Sequence, residues 1–89
     1  MIALASAPPH IFKRMLEIYG LELVEETEFH WGFYWKQGKQ IIVLPKEGVL
    51  ISIRVKDHIC GKLEIDLSKF VSLYNQATTP EAGPPNPSR

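Results

Sequence analysis

Eighty-nine residues suffice for one domain with one modest core, and 45% hydrophobic with 22% charged residues is the balance of an ordinary globular protein. Ten basic residues offset ten acidic ones, so the net charge of zero supplies no general attraction to nucleic acid or to a membrane surface. A single cysteine, Cys60, excludes an intrachain disulfide and any cysteine-based metal motif, which suits a reducing compartment.

The opening MIALASAPP is apolar but too short for a signal peptide and has no basic n-region. No apolar run approaches the ~18 residues that a membrane span needs. The expectation is a cytoplasmic protein with an N-terminal extension over 1–7, a single α+β domain over 8–76 and a disordered tail over 77–89. The tail assignment follows from the Pro, Gly and polar content of TTPEAGPPNPSR.

Taken in chain order, Ser6 to Pro9 reads as a helix start, with Ser6 as the cap and Pro8 or Pro9 in the first turn. Ile11, Phe12, Met15, Leu16 and Tyr19 then fall on one helical face, Lys13, Arg14 and Glu17 on the other. Gly20 ends the helix, because only glycine adopts the left-handed closing conformation without cost. LELV follows as a first strand, with Leu21 and Leu23 on one side, and EETEF as a turn. In FHWGFYW the aromatics Phe29, Trp31, Phe33 and Trp35 share one face of a second strand, because side chains alternate. His30, Gly32 and Tyr34 take the other. KQGK reads as a tight two-residue hairpin turn pivoting on Gly38, and QIIVLP as the returning strand, stopped by Pro45.

LISIRV has the β-branched content of a strand, yet Val55, Ile59 and Leu63 fit a helical face. The reading preferred is a short helix beginning near Ser52 to Arg54. Asp66 or Ser68 then caps a last helix carrying Phe70, Val71 and Tyr74. The expected fold is α+β: a helix, a three-stranded antiparallel sheet and one or two C-terminal helices. All helices lie on one sheet face, a layout like that of double-stranded-RNA-binding domains.

The aromatic row is either the core or a base-stacking platform. The core reading is preferred, because without it the domain lacks large apolar residues to close itself. His30 then faces outward, where an accessible imidazole can serve as general acid or base. Tyr34, Ile41 and Val43 are left partly exposed on the same face, a patch suited to a protein partner. His10 and His58 complete no known ligand spacing with His30, so no metal site is assigned. Lys36, Lys39, Lys46 and Arg54 are the cations that could hold phosphates if they gather near the hairpin end. Glu25, Glu26 and Glu28 lie close to His30, where one of them could orient the imidazole and all of them would repel an RNA backbone. No nucleophile elbow, phosphate loop, CxxC or paired-carboxylate motif is present.

The stretch FKRMLEIYGLELVEETEFHWGFYWKQGKQIIVLP resembles the start of the HicA (YcfA-like) family of small toxins. Those chains run helix, glycine, aliphatic strand, a Gly-Ser-His-x-x-Phe strand, a turn and an aliphatic strand ending in proline. Leu16 and Gly20 match the helix end, Leu23 and Val24 the first strand, His30 and Phe33 the His-x-x-Phe pair, Gly38 the turn, and Val43 and Pro45 the third strand. IDLSKFVSLY resembles the closing Ile-Ser-x-x-x-Phe helix, with Phe70 in the phenylalanine position. The resemblance implies an mRNA-cleaving toxin paired with a HicB-like antitoxin, with His30 as the general acid or base. It also implies a metal-independent endoribonuclease with no small-molecule cofactor, because the ribose 2′-hydroxyl is the nucleophile. The sequence departs from the family where Gly-Ser becomes Glu28-Phe29, and where the basic stretch after the third strand thins to Lys46-Glu47-Gly48. A glycine permits close backbone approach to RNA, which Glu28 does not. The alternative is therefore a non-catalytic HicA-like module that binds a protein partner, or single-stranded nucleic acid, through its open sheet face.

Overall fold

The computed structural model describes residues 6–79, and expectations for 1–5 and 80–89 lie outside the described residues. Three helices and three strands follow in the order α1 (Pro9–Tyr19), β1 (Glu22–Glu26), β2 (His30–Trp35), β3 (Gln40–Pro45), α2 (Ile53–Leu63) and α3 (Leu67–Thr78). The sheet is antiparallel in the order β1-β2-β3. This is the α+β architecture expected, with both C-terminal helices formed.

Helix α1 starts on Pro9 with Pro8 as its N-cap, a site where the missing N–H costs nothing. Ser6 does not cap it. That residue is buried instead, and its hydroxyl donates to the Ile51 carbonyl while the Ile51 N–H donates to Ala7 O at 2.9 Å. Ser6 and Ala7 are thus part of the domain rather than an extension, and Ala7 has no exposed surface at all. At the other boundary α3 runs through Thr78 and buries Ala77, so the domain is wider than 8–76 at both ends. Gly20 closes α1 at φ 117°, its N–H shared between Leu16 O and Glu17 O, and the Leu21 N–H donates to Leu16 O at 3.0 Å.

The ambiguous segment is helical because Ser52 caps it. The Ser52 hydroxyl accepts from Val55 N–H at 3.2 Å, and the buried stripe Ile59, Cys60 and Leu63 faces the core. Asp66, rather than Ser68, caps α3 through a 2.8 Å bond from the Lys69 N–H. The core is one cluster in which Phe12, Met15 and Leu16 of α1 meet Trp31, Phe33, Ile42 and Leu44 of the sheet and Ile59, Leu63, Phe70 and Leu73 of α2 and α3. Phe12 and Phe70 meet edge to face at 5.8 Å, and Tyr19 Oη donates to Leu63 O at 2.8 Å, tying α1 to the end of α2.

Trp31 and Phe33 are core residues as expected, but Phe29 is not. It precedes β2 in the turn and is 49% exposed, because the strand begins one residue later than the aromatic alternation suggests. The hairpin loop is Lys36–Lys39, with a Lys39 N–H to Lys36 O bond at 3.3 Å, and Lys39 takes the left-handed conformation at φ 52°. Gly38 serves by its lack of a side chain, since a Cβ there would overlap the Trp35 ring. Two- and four-residue loops centred on Gln37 and Gly38 give the same pairing, Trp35 with Gln40 and Tyr34 with Ile41. The sheet faces therefore stand as the alternation places them.

Candidate functional site

His30 opens β2, and Thr27 holds it there. The Thr27 N–H donates to His30 O at 2.8 Å, and the Thr27 hydroxyl oxygen accepts from the N–H groups of His30 at 3.1 Å and Phe29 at 3.3 Å. With its backbone committed to this turn, the His30 side chain stands on the sheet face away from the helices. There it is exposed and, among the described residues, forms no hydrogen bond, ion pair or ring contact.

Two shallow cavities flank the imidazole. One, of about 330 Å³, is lined by Phe29, His30, Pro45 and Glu47. The other, of about 210 Å³, is lined by Glu25, Thr27, His30, Trp31, Gly32 and Val43. Glu25 reaches this position because its strand partner is Gly32, where a Cβ would meet the Glu25 Cβ at 3.2 Å. Both cavities contain a carboxylate, Glu25 or Glu47, and neither is lined by a lysine or arginine.

The four cations expected to hold phosphates do not gather around His30. Lys36 and Lys39 sit in the hairpin loop, which begins six residues along the chain from His30 and therefore ~20 Å away at the opposite end of the sheet. Arg54 lies exposed on the first turn of α2. Lys46 alone is at the His30 end, and it is engaged. Its ammonium bonds Glu26 at 2.7 Å and lies over the Trp31 ring, 5.4 Å from the centroid. That bond and the charge of Lys46 hold the Glu26 carboxyl below the ordinary carboxylate value. Antiparallel pairing separates these lysines, because it places the hairpin loop and the β1–β2 turn at opposite ends.

Tyr34, Ile41 and Val43 do come together. Tyr34 pairs with Ile41 and Gly32 with Val43, all on the face of His30, and Ile41 and Val43 are 54% and 53% exposed. Across the sheet this face runs from carboxylates on β1, Glu22 opposite Tyr34 and Glu25 opposite Gly32, to aliphatic side chains on β3.

Two features had no signal in the sequence. Trp31 is surrounded at the domain rim by the His10 ring edge-on at 5.2 Å, by Lys13 Nζ at 5.7 Å and by Lys46. A groove of about 180 Å³ also runs between β3 and α2, lined by Ile41, Ile42, Val43, His58, Ile59 and Lys62. Both depend on helix docking over long sequence separations. The three histidines lie on three separate surfaces, and among the described residues no group of three His, Cys, Asp or Glu side chains is placed to hold a metal ion. Burial pushes the Cys60 thiol up from its ordinary value, which opposes thiolate chemistry there. Among the described residues no helix is long and apolar enough to cross a membrane.

No protein-family model, curated protein or solved structure matches this chain.

Proposed function

We propose that this chain is a HicA-like interaction module that receives a protein partner, of the HicB-like antitoxin kind, on the open face of its sheet. The observation that carries this reading is the lining of the two cavities beside His30, carboxylates from Glu25 and Glu47 with no cationic side chain. A phosphodiester backbone would be repelled there rather than held. A protein surface needs no such cations, and the half-buried Tyr34 with the exposed Ile41 and Val43 supplies an apolar centre with a polar rim, the arrangement of a binding patch.

A second reading is favoured by one observation, the accessible imidazole of His30 without a side-chain partner. It makes the chain a metal-independent endoribonuclease in which His30 takes the 2′-hydroxyl proton or delivers one to the leaving 5′-oxygen. Induced expression of the parent and of His30→Ala separates the two. The expected outcome is normal growth and intact RNA in both. A co-expressed HicB-like protein should co-purify with the parent and not with the Ile41→Asp/Val43→Asp double variant. Growth arrest relieved by His30→Ala would establish the nuclease instead, and a complex indifferent to the two aspartates would remove the open face from the interaction.

A further inference from the structure

The ladder of β2 and β3 has a definite phase. The Lys46 N–H donates to Phe29 O at 2.9 Å, so the positions of β3 that bond β2 are Lys46, Leu44, Ile42 and Gln40. The backbone groups of Ile41, Val43 and Pro45 then point away from β2, at the free edge of the sheet. Pro45 fits this phase, since its missing N–H falls on the outward side. The N–H and C=O groups of Ile41 and Val43 are therefore directed into the groove between β3 and α2.

The groove has one sign of charge. His58 and Lys62 line it and no carboxylate does. Lys36 and Lys39 lie in the hairpin loop that leads into β3. Among the described residues none of these four cationic or basic side chains forms an ion pair or hydrogen bond. The opposite edge differs in both respects. A bulge between Leu23 and Glu25 breaks its ladder, and Glu22 and Glu25 make it acidic while Glu26 is paired with Lys46. Bulges, charges and prolines are devices that keep an edge from pairing; β3 carries no bulge and no inward charge, and its one proline, Pro45, stands at the end of the strand beyond Ile41 and Val43.

We infer that β3 accepts an extended acidic segment of a partner protein as a fourth strand. Its backbone bonds Ile41 and Val43 and its carboxylates meet His58 and Lys62. This deepens the open-face reading and rests on it, because the added strand continues the surface of Tyr34, Ile41 and Val43. A second copy of this chain fits less well, since the acidic edge it would offer is the bulged one.

The test is titration of the isotope-labelled full chain with the peptide acetyl-Glu-Val-Glu-Ile-Glu-Val-amide, followed by amide resonances and by hydrogen exchange. Saturable shifts are expected at Ile41, Val43, His58 and Lys62, with slowed exchange at Ile41 and Val43. Val43→Pro removes one outward N–H while leaving the bonds to β2 intact, and should abolish binding in a protein whose spectrum shows it folded. Lys62→Glu, on the exposed side of α2, should weaken binding about tenfold, the loss of one charge-assisted contact. Shifts confined to β1, equal binding of the lysine-for-glutamate peptide, or shifts on raising the protein concentration alone would each overturn strand addition at β3. An antitoxin complex that is lost with Ile41→Asp/Val43→Asp yet survives Val43→Pro would leave the open-face reading standing and sink this one.

Discussion

Gly38→Ala distinguishes a glycine needed for its backbone from one needed for its size. Gly38 is not at positive φ; the left-handed residue of the loop is Lys39. A Cβ on Gly38 would nonetheless fall inside contact distance of Trp35 Cε3 and Cζ3 and lie 3.1 Å from Gln40 Nε2. The indole ring must retreat, and it is half-buried against the core, so the displacement uncovers apolar surface. Overpacking of this kind costs ~1–3 kcal/mol, and the stiffer unfolded chain of an alanine variant returns about 0.4–1 kcal/mol. The net loss is ~1–2 kcal/mol against a total of about 4–13 kcal/mol for a chain of this length, and Tm should fall by about 4–16 °C. Lys39→Gly is the control. It relieves a left-handed non-glycine that costs ~1 kcal/mol and concedes a similar amount of unfolded-state entropy, so its stability should stay near that of the parent. Urea unfolding followed by tryptophan fluorescence measures both variants. A Gly38→Ala protein as stable as the parent, or a Lys39→Gly protein that is strongly destabilised, would refute the loop geometry and the placement of Trp35.

Adjacent residues of β3 should respond in opposite ways. Leu44→Ala removes a fully buried side chain and should cost ~2–5 kcal/mol, whereas Val43→Ala, on the open face, should change stability by about 0.5 kcal/mol or less. Equal losses in chemical unfolding would mean that the open face is covered. Cys60 holds its proton more tightly in the folded state because burial disfavours the thiolate. Its contribution to stability is therefore fully present below the unfolded thiol value, near pH ~8.5, and is lost as the pH rises above it towards the folded value. Urea midpoints at alkaline pH should fall more for the parent than for Cys60→Ala, and an aromatic disulfide reagent should label the native thiol only at the rate of opening. Rapid labelling of the folded protein at neutral pH would contradict the burial.

The periodicities that located α1, β2 and β3 are local, and they placed His30 opposite the Trp31 and Phe33 row correctly. Phe29 was misplaced because alternation continues through a residue that the Thr27 turn has already taken out of the strand. Val49 to Lys56 was ambiguous because its β-branched content and its helical spacing point different ways. The Ser52 cap and the buried face of Ile59 and Leu63 decide the matter. The candidate site was legible only in part. His30, Tyr34, Ile41 and Val43 share a face by alternation alone, but the separation of Lys36 and Lys39 from His30 and the capture of Lys46 by Glu26 follow from strand pairing.

By itself, then, the sequence determined the order of elements, the inward face of the sheet and the outward histidine, because each follows from spacing within a few residues. Tertiary structure alone decided which charges surround that histidine and what lies along the β3 edge. Those depend on side chains as far apart as Glu25 and Val43, or Ile41 and Lys62, and no local pattern encodes their meeting.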